Sequence, residues 1–140
     1  MVGKIRTLLI DDSPSASLNV SRALRGDLRF EIVGRCLNGR EGLVSTLRLK
    51  PVLIFLDIEM PVMDGVTYLR LVRKKTDAKI VVLSALVGRK ADVGEKAKML
   101  GANAVMPKLD ECGGGEEAFN RNILRLVQSF FPGRSARSAA

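Results

Sequence analysis

The alternation of short apolar runs with amphipathic segments constrains the fold of this chain more than any other feature of the sequence. Residues 52–56 are an unbroken apolar run that ends on Asp57. Short stretches that are wholly or mostly apolar also lie at 7–10, 30–33, 80–83 and 104–106. An unbroken run of this length is typical of a strand that is buried on both faces. Strands alternating with helices predict an α/β fold, in which a doubly wound, five-stranded parallel sheet carries helices on both faces.

The segments that follow the five runs carry helix signals. Ser13 or Asp12 is an expected N-cap with Pro14 in the first turn, and Asn38 with Glu41 matches a capping box. Gly34 is expected to close the second strand, and the three glycines at 113–115 are expected to form a hinge before the last helix. The apolar positions predicted to face the core of the first two helices are Leu18, Val20, Ala23 and Leu24, then Leu43, Val44 and Leu47.

Length and composition indicate one globular domain. The chain has 140 residues, of which 46% are apolar and 27% charged, which is ordinary for a single folded domain. No apolar run approaches the ~20 residues that span a bilayer, and the N-terminus lacks a signal-peptide pattern. We therefore expect a cytoplasmic protein without membrane contact. Residues 1–131 are the predicted domain, and 132–140 are a predicted disordered tail or linker stub.

Two residue types narrow the chemistry. The chain has no histidine, which excludes histidine-based acid–base catalysis, Ser-His-Asp triads and most zinc sites. Cys36 and Cys112 lack metal-ligand spacing and are predicted to be reduced. The net charge is +8, but the basic residues are scattered and no groove-reading motif accompanies them. We do not expect this domain to bind nucleic acid directly.

Polar side chains follow four of the five predicted strands. Asp11 and Asp12 follow the first, Asp57 the third, Ser84 the fourth and Lys108 the fifth. Any one of them alone is explained equally well as a helix cap or a loop residue. Because parallel strands end at the same edge of a sheet, all of them are expected to meet there.

The charges at this edge indicate a particular chemistry. Crowded carboxylates repel one another, and hard oxygen ligands in a small site suit Mg²⁺. Lys108 adds a second positive charge, so the site can stabilise the oxygens of a transferring phosphoryl group. Without histidine, the expected nucleophile is a carboxylate that forms an acyl phosphate. Asp57 is the best candidate because it leaves the central strand.

Four pieces of the sequence resemble the receiver domain of two-component response regulators. They are residues 9–13, 56–65, 83–85 and 107–108. The resemblance covers about residues 4 to 131, and the phrase at 57–65 and residues 86–89 look most similar to receivers of the chemotaxis methylesterase type. It implies a flavodoxin-like sheet with strand order 2-1-3-4-5.

The resemblance also implies roles for individual residues. Asp57 matches the phosphoacceptor, which takes a phosphoryl group from a histidine kinase or phosphotransfer protein. Ser84 matches the hydroxyl that bonds the phosphoryl group, and Lys108 the cation paired with it. The implied Mg²⁺ ligands are Asp12, Asp57 and the main-chain carbonyl of Glu59, with Asp11 acting through water. Phosphorylation would bias a two-state region that includes 84–100, and the fourth and fifth helices would meet a downstream protein.

The sequence departs from the family pattern at three places. Val105 stands where an aromatic switch residue is usual, so rotation of a buried ring cannot be the readout. Leu109 stands where a cis proline is usual, and since a cis bond before a non-proline residue costs about 2.5–4 kcal/mol, we predict a trans Lys108–Leu109 bond. Residues 110–115 form an unusually glycine-rich connection. Glu59 lies two residues after the acceptor and either tunes dephosphorylation or is a solvated acid.

Other functions fit parts of the sequence. A pseudo-receiver would keep the fold without the chemistry, as the unusual Val105 and Leu109 suggest. A phosphatase of the haloacid dehalogenase type also uses a strand-ending aspartate, but leaves Asp11 and Asp12 unexplained. We expect a signalling receiver that catalyses only its own phosphorylation and dephosphorylation. It is either a single-domain regulator or the N-terminal regulatory part of a longer effector such as a chemotaxis methylesterase.

Overall fold

The computed structural model describes residues 4–84 and 91–133, with 91–93 described by backbone alone. Five strands form one parallel sheet in the order β2-β1-β3-β4-β5. They are β1 (Ile5–Ile10), β2 (Phe30–Cys36), β3 (Leu53–Asp57), β4 (Lys79–Ser84) and β5 (Ala104–Pro107). The predicted doubly wound α/β fold and its strand order are confirmed. The predicted tail lies outside the described residues from position 134 onward.

Five α-helices cover the two faces of the sheet. They are α1 (Pro14–Leu24), α2 (Gly39–Leu49), α3 (Gly65–Val72), α4 (Ala91–Met99) and α5 (Gly115–Phe130). Helices α1 and α5 share one core cluster, and α2, α3 and α4 share the other. Among the described residues, no helix combines the length and the apolarity needed to cross a membrane. The sequence pattern also predicts that the fourth helix begins at Arg89, a position that lies outside the described residues.

The central strand β3 supplies both core clusters. Leu53 and Phe55 point to the α1–α5 side, while Ile54 and Leu56 point to the opposite side. All four are almost fully buried, and full burial of one such side chain stabilises the fold by about 1.5–3 kcal/mol. The apolar run therefore places β3 between two layers of helices, and its last residue, Asp57, at the carboxyl edge of the sheet.

The predicted helix starts are confirmed by their cap hydrogen bonds. The Ser13 hydroxyl accepts a hydrogen bond from the Ala16 backbone N–H at 3.3 Å. The Asn38 side chain accepts one from the Glu41 N–H at 2.9 Å, and Glu41 accepts one in return from Leu37. These bonds satisfy N–H groups that the first turn of a helix leaves unpaired.

Part of the predicted buried face of the first two helices is wrong. Leu18, Val44 and Leu47 are 40%, 57% and 45% exposed. Helix α2 instead meets the sheet through small residues, and a Cβ added to Gly42 would lie 2.6 Å from Ile10 Cδ1. Because this close approach needs a residue without a side chain, Gly42 faces the sheet and Val44 and Leu47 turn outward, while Leu43 and Leu49 pack against the core.

The predicted end of the second strand is also wrong. Strand β2 continues past Gly34 to Cys36, and its register with β1 shifts between Thr7 and Leu8. A shift of this kind inserts one extra residue into a strand without ending its pairing. Gly34 lies in that stretch against the side chains of Leu8 and Leu49, so it marks a close approach and not a turn. Cys36 and Cys112 are unpaired, as predicted.

An ion pair within the α1–β2 loop, hydrogen-bonded to the end of α5, was not predicted from the sequence. Asp27 is fully buried and lies 2.9 Å from Arg29 Nη2. Gln128 Nε2 donates to the same carboxylate at 3.2 Å, and Arg29 Nη1 donates to the Phe131 carbonyl. Burial opposes ionisation, but hydrogen bonds from the side chain and backbone of Arg29 and from Gln128 outweigh it. The pKa of Asp27 is therefore held below its usual value.

Replacing Asp27 with Asn should destabilise the protein strongly at neutral pH. The change leaves the Arg29 guanidinium without its buried counter-charge, which costs about 3 kcal/mol. The folded pKa lies below the unfolded value of about 3.9. The ionised form therefore contributes stability above about pH 4, and this contribution is lost as the pH falls through the folded pKa.

Urea unfolding of the Asp27→Asn variant and the wild type at pH 7 and at decreasing pH measures this effect. Asp77→Asn is the matched control, because Asp77 is exposed and makes no ion pair with a described residue. Equal free energies of unfolding for the two variants at pH 7 would contradict the prediction.

Val62 has a backbone conformation that β-branched residues rarely adopt. Its φ angle is 68°, and its side chain is exposed in the loop after β3. A left-handed conformation costs an L-residue about 1–2 kcal/mol, whereas Asn tolerates it. Val62→Asn should therefore raise the free energy of unfolding by about 1 kcal/mol in urea. Val52 is also an exposed valine but has no positive φ, so Val52→Asn should not raise the free energy of unfolding. An equal increase at both positions would contradict the explanation.

Candidate functional site

Three aspartates meet at the carboxyl edge of the sheet. One oxygen from each of Asp11, Asp12 and Asp57 lies within 4.8 Å of the others. Asp11 directly follows β1 and Asp57 ends β3, and these two strands are hydrogen-bonded neighbours. Asp11 and Asp57 are each only 6% exposed, while Asp12 is open to solvent. The arrangement leaves one side of the cluster accessible to a ligand.

Lys108 reaches this cluster from β5, the outermost strand on one side of the sheet. It follows β5, and its Nζ lies 3.1 Å from Asp11 Oδ2 and 3.4 Å from Asp57 Oδ1. Burial alone would lower the pKa of the ammonium group, but the charges of Asp57 and Asp11 and their hydrogen bonds outweigh burial and raise it. Lys108 therefore remains a cation within the cluster.

The cluster carries more negative than positive charge. Burial, followed by the charge of Asp11, raises the pKa of Asp57 to about 7 despite the opposing effect of Lys108. Three carboxylates face a single ammonium group. A second cation would remove the remaining repulsion, and clustered carboxylate oxygens are ligands that suit Mg²⁺. The donor set present here therefore fits a hard divalent cation.

Ser84 and Glu59 are the two other predicted site residues. Ser84 ends β4 and is half-buried, and its carbonyl accepts a 3.1 Å hydrogen bond from the Lys108 N–H. Glu59 is exposed, and its carboxylate is not among the three that converge. The roles of these two residues remain predictions. The predicted two-state region 84–100 is described only at Ser84 and from residue 91.

Close backbone contacts shape the loop that follows Asp57. Gly65 packs so tightly against the Asp57 carbonyl that a Cβ there would overlap it. The Gly65 N–H donates to the Ile58 carbonyl at 2.8 Å, and Asp64 caps α3 by accepting a hydrogen bond from Thr67. The Asp-Gly pair at 64–65 thus fixes the distance between the loop and the acceptor strand.

The two family departures near Lys108 have structural outcomes. No described peptide bond is cis, so the predicted trans Lys108–Leu109 bond is confirmed. Val105 is half-buried and packs against the hydrophobic core cluster that α4 covers. A Cβ on Gly94 would lie 3.4 Å from Val105 Cγ1. A small residue on α4 therefore faces the small residue on β5.

The sequence did not predict a cleft that lies beside Lys108. It has a volume of about 200 Å³ and lies between the start of α1 and the turn after β5. Its polar lining comes from Ser13, Ser15, Asn19, Lys108 and Asp110. Ser15 and Asn19 lie one helical turn apart, which is the only sequence signal that they share a surface.

Comparisons with known proteins agree with this geometry. The family model described as the response regulator receiver domain matches residues 7–111. A protein-glutamate methylesterase/protein-glutamine glutaminase of Geobacter sulfurreducens is 33% identical over 89% of this chain, and that of Maricaulis maris is 37% identical over 91%. The chain spans only 35% and 32% of the lengths of these curated relatives.

Solved structures show the same fold. The response regulator domain of Thermotoga maritima CheB has a TM-score of 0.75 and 26% identity, with 91% of this chain and 94% of that chain covered. A complex of CheY6 with the P1 domain of CheA3 from R. sphaeroides matches with a TM-score of 0.70 and 31% identity, over 90% of this chain and 98% of that one. Since the family model matches most of the chain and the strand order agrees, this chain belongs to the response regulator receiver family.

Proposed function

We propose that the chain is a working receiver, in which Asp57 accepts a phosphoryl group and thereby changes the binding of a partner protein. The observation that carries this proposal is the environment of Asp57. It is a nearly buried carboxylate at the end of the central strand, with two more aspartates beside it and the Lys108 ammonium 3.4 Å away. A structural carboxylate would need only the lysine, so the surplus of negative charge supports a bound cation as a further ligand. That cation and Lys108 together would then receive the oxygens of a phosphoryl group.

The proposed chemistry is transfer from a phosphohistidine. An Asp57 carboxylate oxygen attacks phosphorus, the bond to the donor nitrogen breaks, and the acyl phosphate forms on Asp57. Lys108 then pairs with a phosphoryl oxygen, and the Ser84 hydroxyl donates to another. Asp11, Asp12, Asp57 and the main-chain carbonyl of Glu59 would hold Mg²⁺. When bound, the ion supplies positive charge beside the phosphoryl oxygens.

The donor is proposed to be a histidine kinase or a phosphotransfer protein. The cleft next to Lys108 supports this, because it is open, polar and adjacent to the acceptor cluster. The similarity to CheY6, which was solved in complex with the P1 domain of CheA3 from R. sphaeroides, also supports this proposal. We also propose a cytoplasmic location, which the two unpaired cysteines support.

Switching is proposed to pass from Lys108 and Ser84 to α4. Phosphorylation adds about one to two negative charges beside Lys108, and the backbone of Lys108 is bonded to that of Ser84 at the end of β4. Since Val105 has no ring to rotate, the readout would be a change in how α4 packs on β5 at Gly94 and Val105. The α4–α5 face would then bind the downstream protein.

A second candidate function is supported by the lengths of the relatives. The matched methylesterases are about three times as long as the aligned part of this chain. Residues 1–131 would then be the N-terminal regulatory domain of a longer effector, and the receiver itself would catalyse only its own phosphorylation and dephosphorylation. In both cases the chemistry at Asp57 is the same.

Incubation with acetyl phosphate and Mg²⁺ should add one phosphoryl group to the wild type. Intact-mass measurement detects it, and Asp57→Ala should show no adduct because the acceptor oxygen is absent. Lys108→Ala should slow labelling by about 10²-fold or more, since it removes a positioned cation from the phosphoryl oxygens. Lys98→Ala, at an exposed lysine of α4, is the control and should label normally.

An unchanged adduct on Asp57→Ala would overturn the assignment of the acceptor. If the wild type forms neither an adduct nor a complex with beryllofluoride, the chain is a pseudo-receiver.

Mg²⁺ should stabilise the protein even without a phosphodonor. A ligand at ten times its dissociation constant adds about 1.4 kcal/mol to the free energy of unfolding, because binding relieves the carboxylate repulsion only in the folded state. Thermal unfolding with increasing Mg²⁺ measures the effect, and Asp12→Asn and Asp57→Asn should abolish most of it. Asp64→Asn is the control at an exposed acid outside the cluster. Equal stabilisation of all the variants would mean that Mg²⁺ binds elsewhere.

A further inference from the structure

The surface formed by α1 and α5 carries four exposed arginines. We call Arg22, Arg25, Arg121 and Arg125 the arginine ridge. All four are exposed, and within the described part of the chain none of them makes a side-chain hydrogen bond or an ion pair. Among the described exposed residues of α1 and α5, the only acids are Glu116 and Glu117, at the start of α5. The ridge is therefore a positive surface with little compensating charge.

Contacts between the helices bring the two pairs of arginines onto one surface. The Leu124 side chain packs against Gly26, and a Cβ on Gly26 would lie 2.6 Å from Leu124 Cδ1. Arg25 directly precedes Gly26, and Arg125 directly follows Leu124. The buried Asp27 accepts a hydrogen bond from Gln128, one turn beyond Leu124. We call the hydrogen bond between Asp27 and Gln128 the Asp27 clamp. Together with the Gly26–Leu124 contact it fixes α1 against α5, and so fixes where the four arginines leave the two helices.

The fold itself accounts for only part of the ridge. Arg22 and Arg25 lie at the C-terminal end of α1, where positive charge stabilises the helix dipole. Arg121 and Arg125 lie in the interior of α5, where the helix dipole gives no such benefit. Glu117 lies one turn before Arg121 and offsets part of its charge, whereas Arg125 has no acid three or four residues away on α5 and faces the like charge of Arg121. A partner that neutralises them would remove this repulsion.

The composition of the ridge indicates the chemistry of that partner. All four cations are arginines, whose planar guanidinium groups bind carboxylates in pairs of parallel hydrogen bonds. Arg121 and Arg125 are separated by one helical turn, about 6 Å along the axis. Acids one turn apart on a second helix have the same spacing. The ridge therefore fits a protein that presents an acidic helix.

Other kinds of partner fit less well. Phe119 of α5 is buried and Phe130 packs beneath Lys79, so the described residues of these helices offer no exposed ring for stacking nucleic-acid bases. Leu18 is the one large apolar side chain of α1 and α5 that is exposed in the described structure, too little for insertion into a bilayer. A second copy of this chain would bring arginines against arginines.

We propose that the arginine ridge is a docking surface for an acidic helix of a protein partner, and that this docking does not depend on the phosphorylation state of Asp57. None of the four arginines contacts the acidic cluster. The Asp27 clamp that shapes the ridge lies at the opposite end of α1 from Asp12. Docking would thus hold a partner next to the receiver in both states. The inference stands apart from the proposed phosphoacceptor function.

The test uses the whole chain and a defined probe, a fluorescent alanine-rich helical peptide with glutamates four residues apart. Fluorescence anisotropy at low salt measures its affinity. Arg121→Glu with Arg125→Glu should weaken binding by about tenfold or more, and Arg22→Glu with Arg25→Glu should act in the same direction. Arg40→Glu with Arg48→Glu is the matched control. It changes the net charge equally but lies on α2, on the other face of the sheet, and should change the affinity less than about twofold.

Further arms separate the alternatives. The wild type should bind the peptide equally well with and without Mg²⁺ and beryllofluoride, and a change in affinity between the two would overturn independence from phosphorylation. Equal losses in the ridge variants and the α2 control would show attraction by net charge alone and overturn a specific surface. Tighter, ridge-dependent binding of a DNA duplex or of phosphatidylglycerol vesicles would overturn the choice of a protein partner. Urea midpoints close to that of the wild type confirm that the variants fold.

Discussion

The mutual repulsion of three carboxylates is the interaction on which the rest of this structure depends. Asp11, Asp12 and Asp57 are held within 4.8 Å of one another because β1 and β3 are adjacent strands that end at the same edge. The backbone hydrogen bonds of a buried parallel pair are strong enough to impose this proximity. Lys108 offsets part of the charge from the other end of the sheet. What remains is an unbalanced acidic site, which suits a cation that is not part of the chain.

The two faces of the sheet support different behaviour around this site. On one face, α1 and α5 are joined by the buried Asp27–Arg29 pair and its bond to Gln128, and such a network is costly to break. On the other face, α4 meets β5 where Gly94 faces Val105, and no buried ion pair is described between these two elements. The two faces of the sheet are therefore held together by different interactions.

Much of the site was predictable from the sequence because it depends on a simple rule. Parallel strands end together, so the polar residues that follow Ile10, Leu56 and Pro107 were expected to converge. The buried face of α2 was not predictable in the same way. Apolar periodicity favoured Val44 and Leu47, but the close approach at Gly42 selected a face of small residues. Hydrophobic patterns identify which residues can be buried, whereas packing distance decides which ones are.

The sequence by itself determined the class of fold, the strand-ending acids and the helix caps, since each depends on residues within a few positions of one another. Only the tertiary structure decided which distant groups meet. The Asp27 clamp joins residues about a hundred positions apart, and the Lys108 ion pair spans nearly the same length. The arginine ridge needs α1 and α5 to lie side by side. Such contacts depend on how whole helices pack on the sheet, and local sequence patterns do not predict which distant residues that packing brings together.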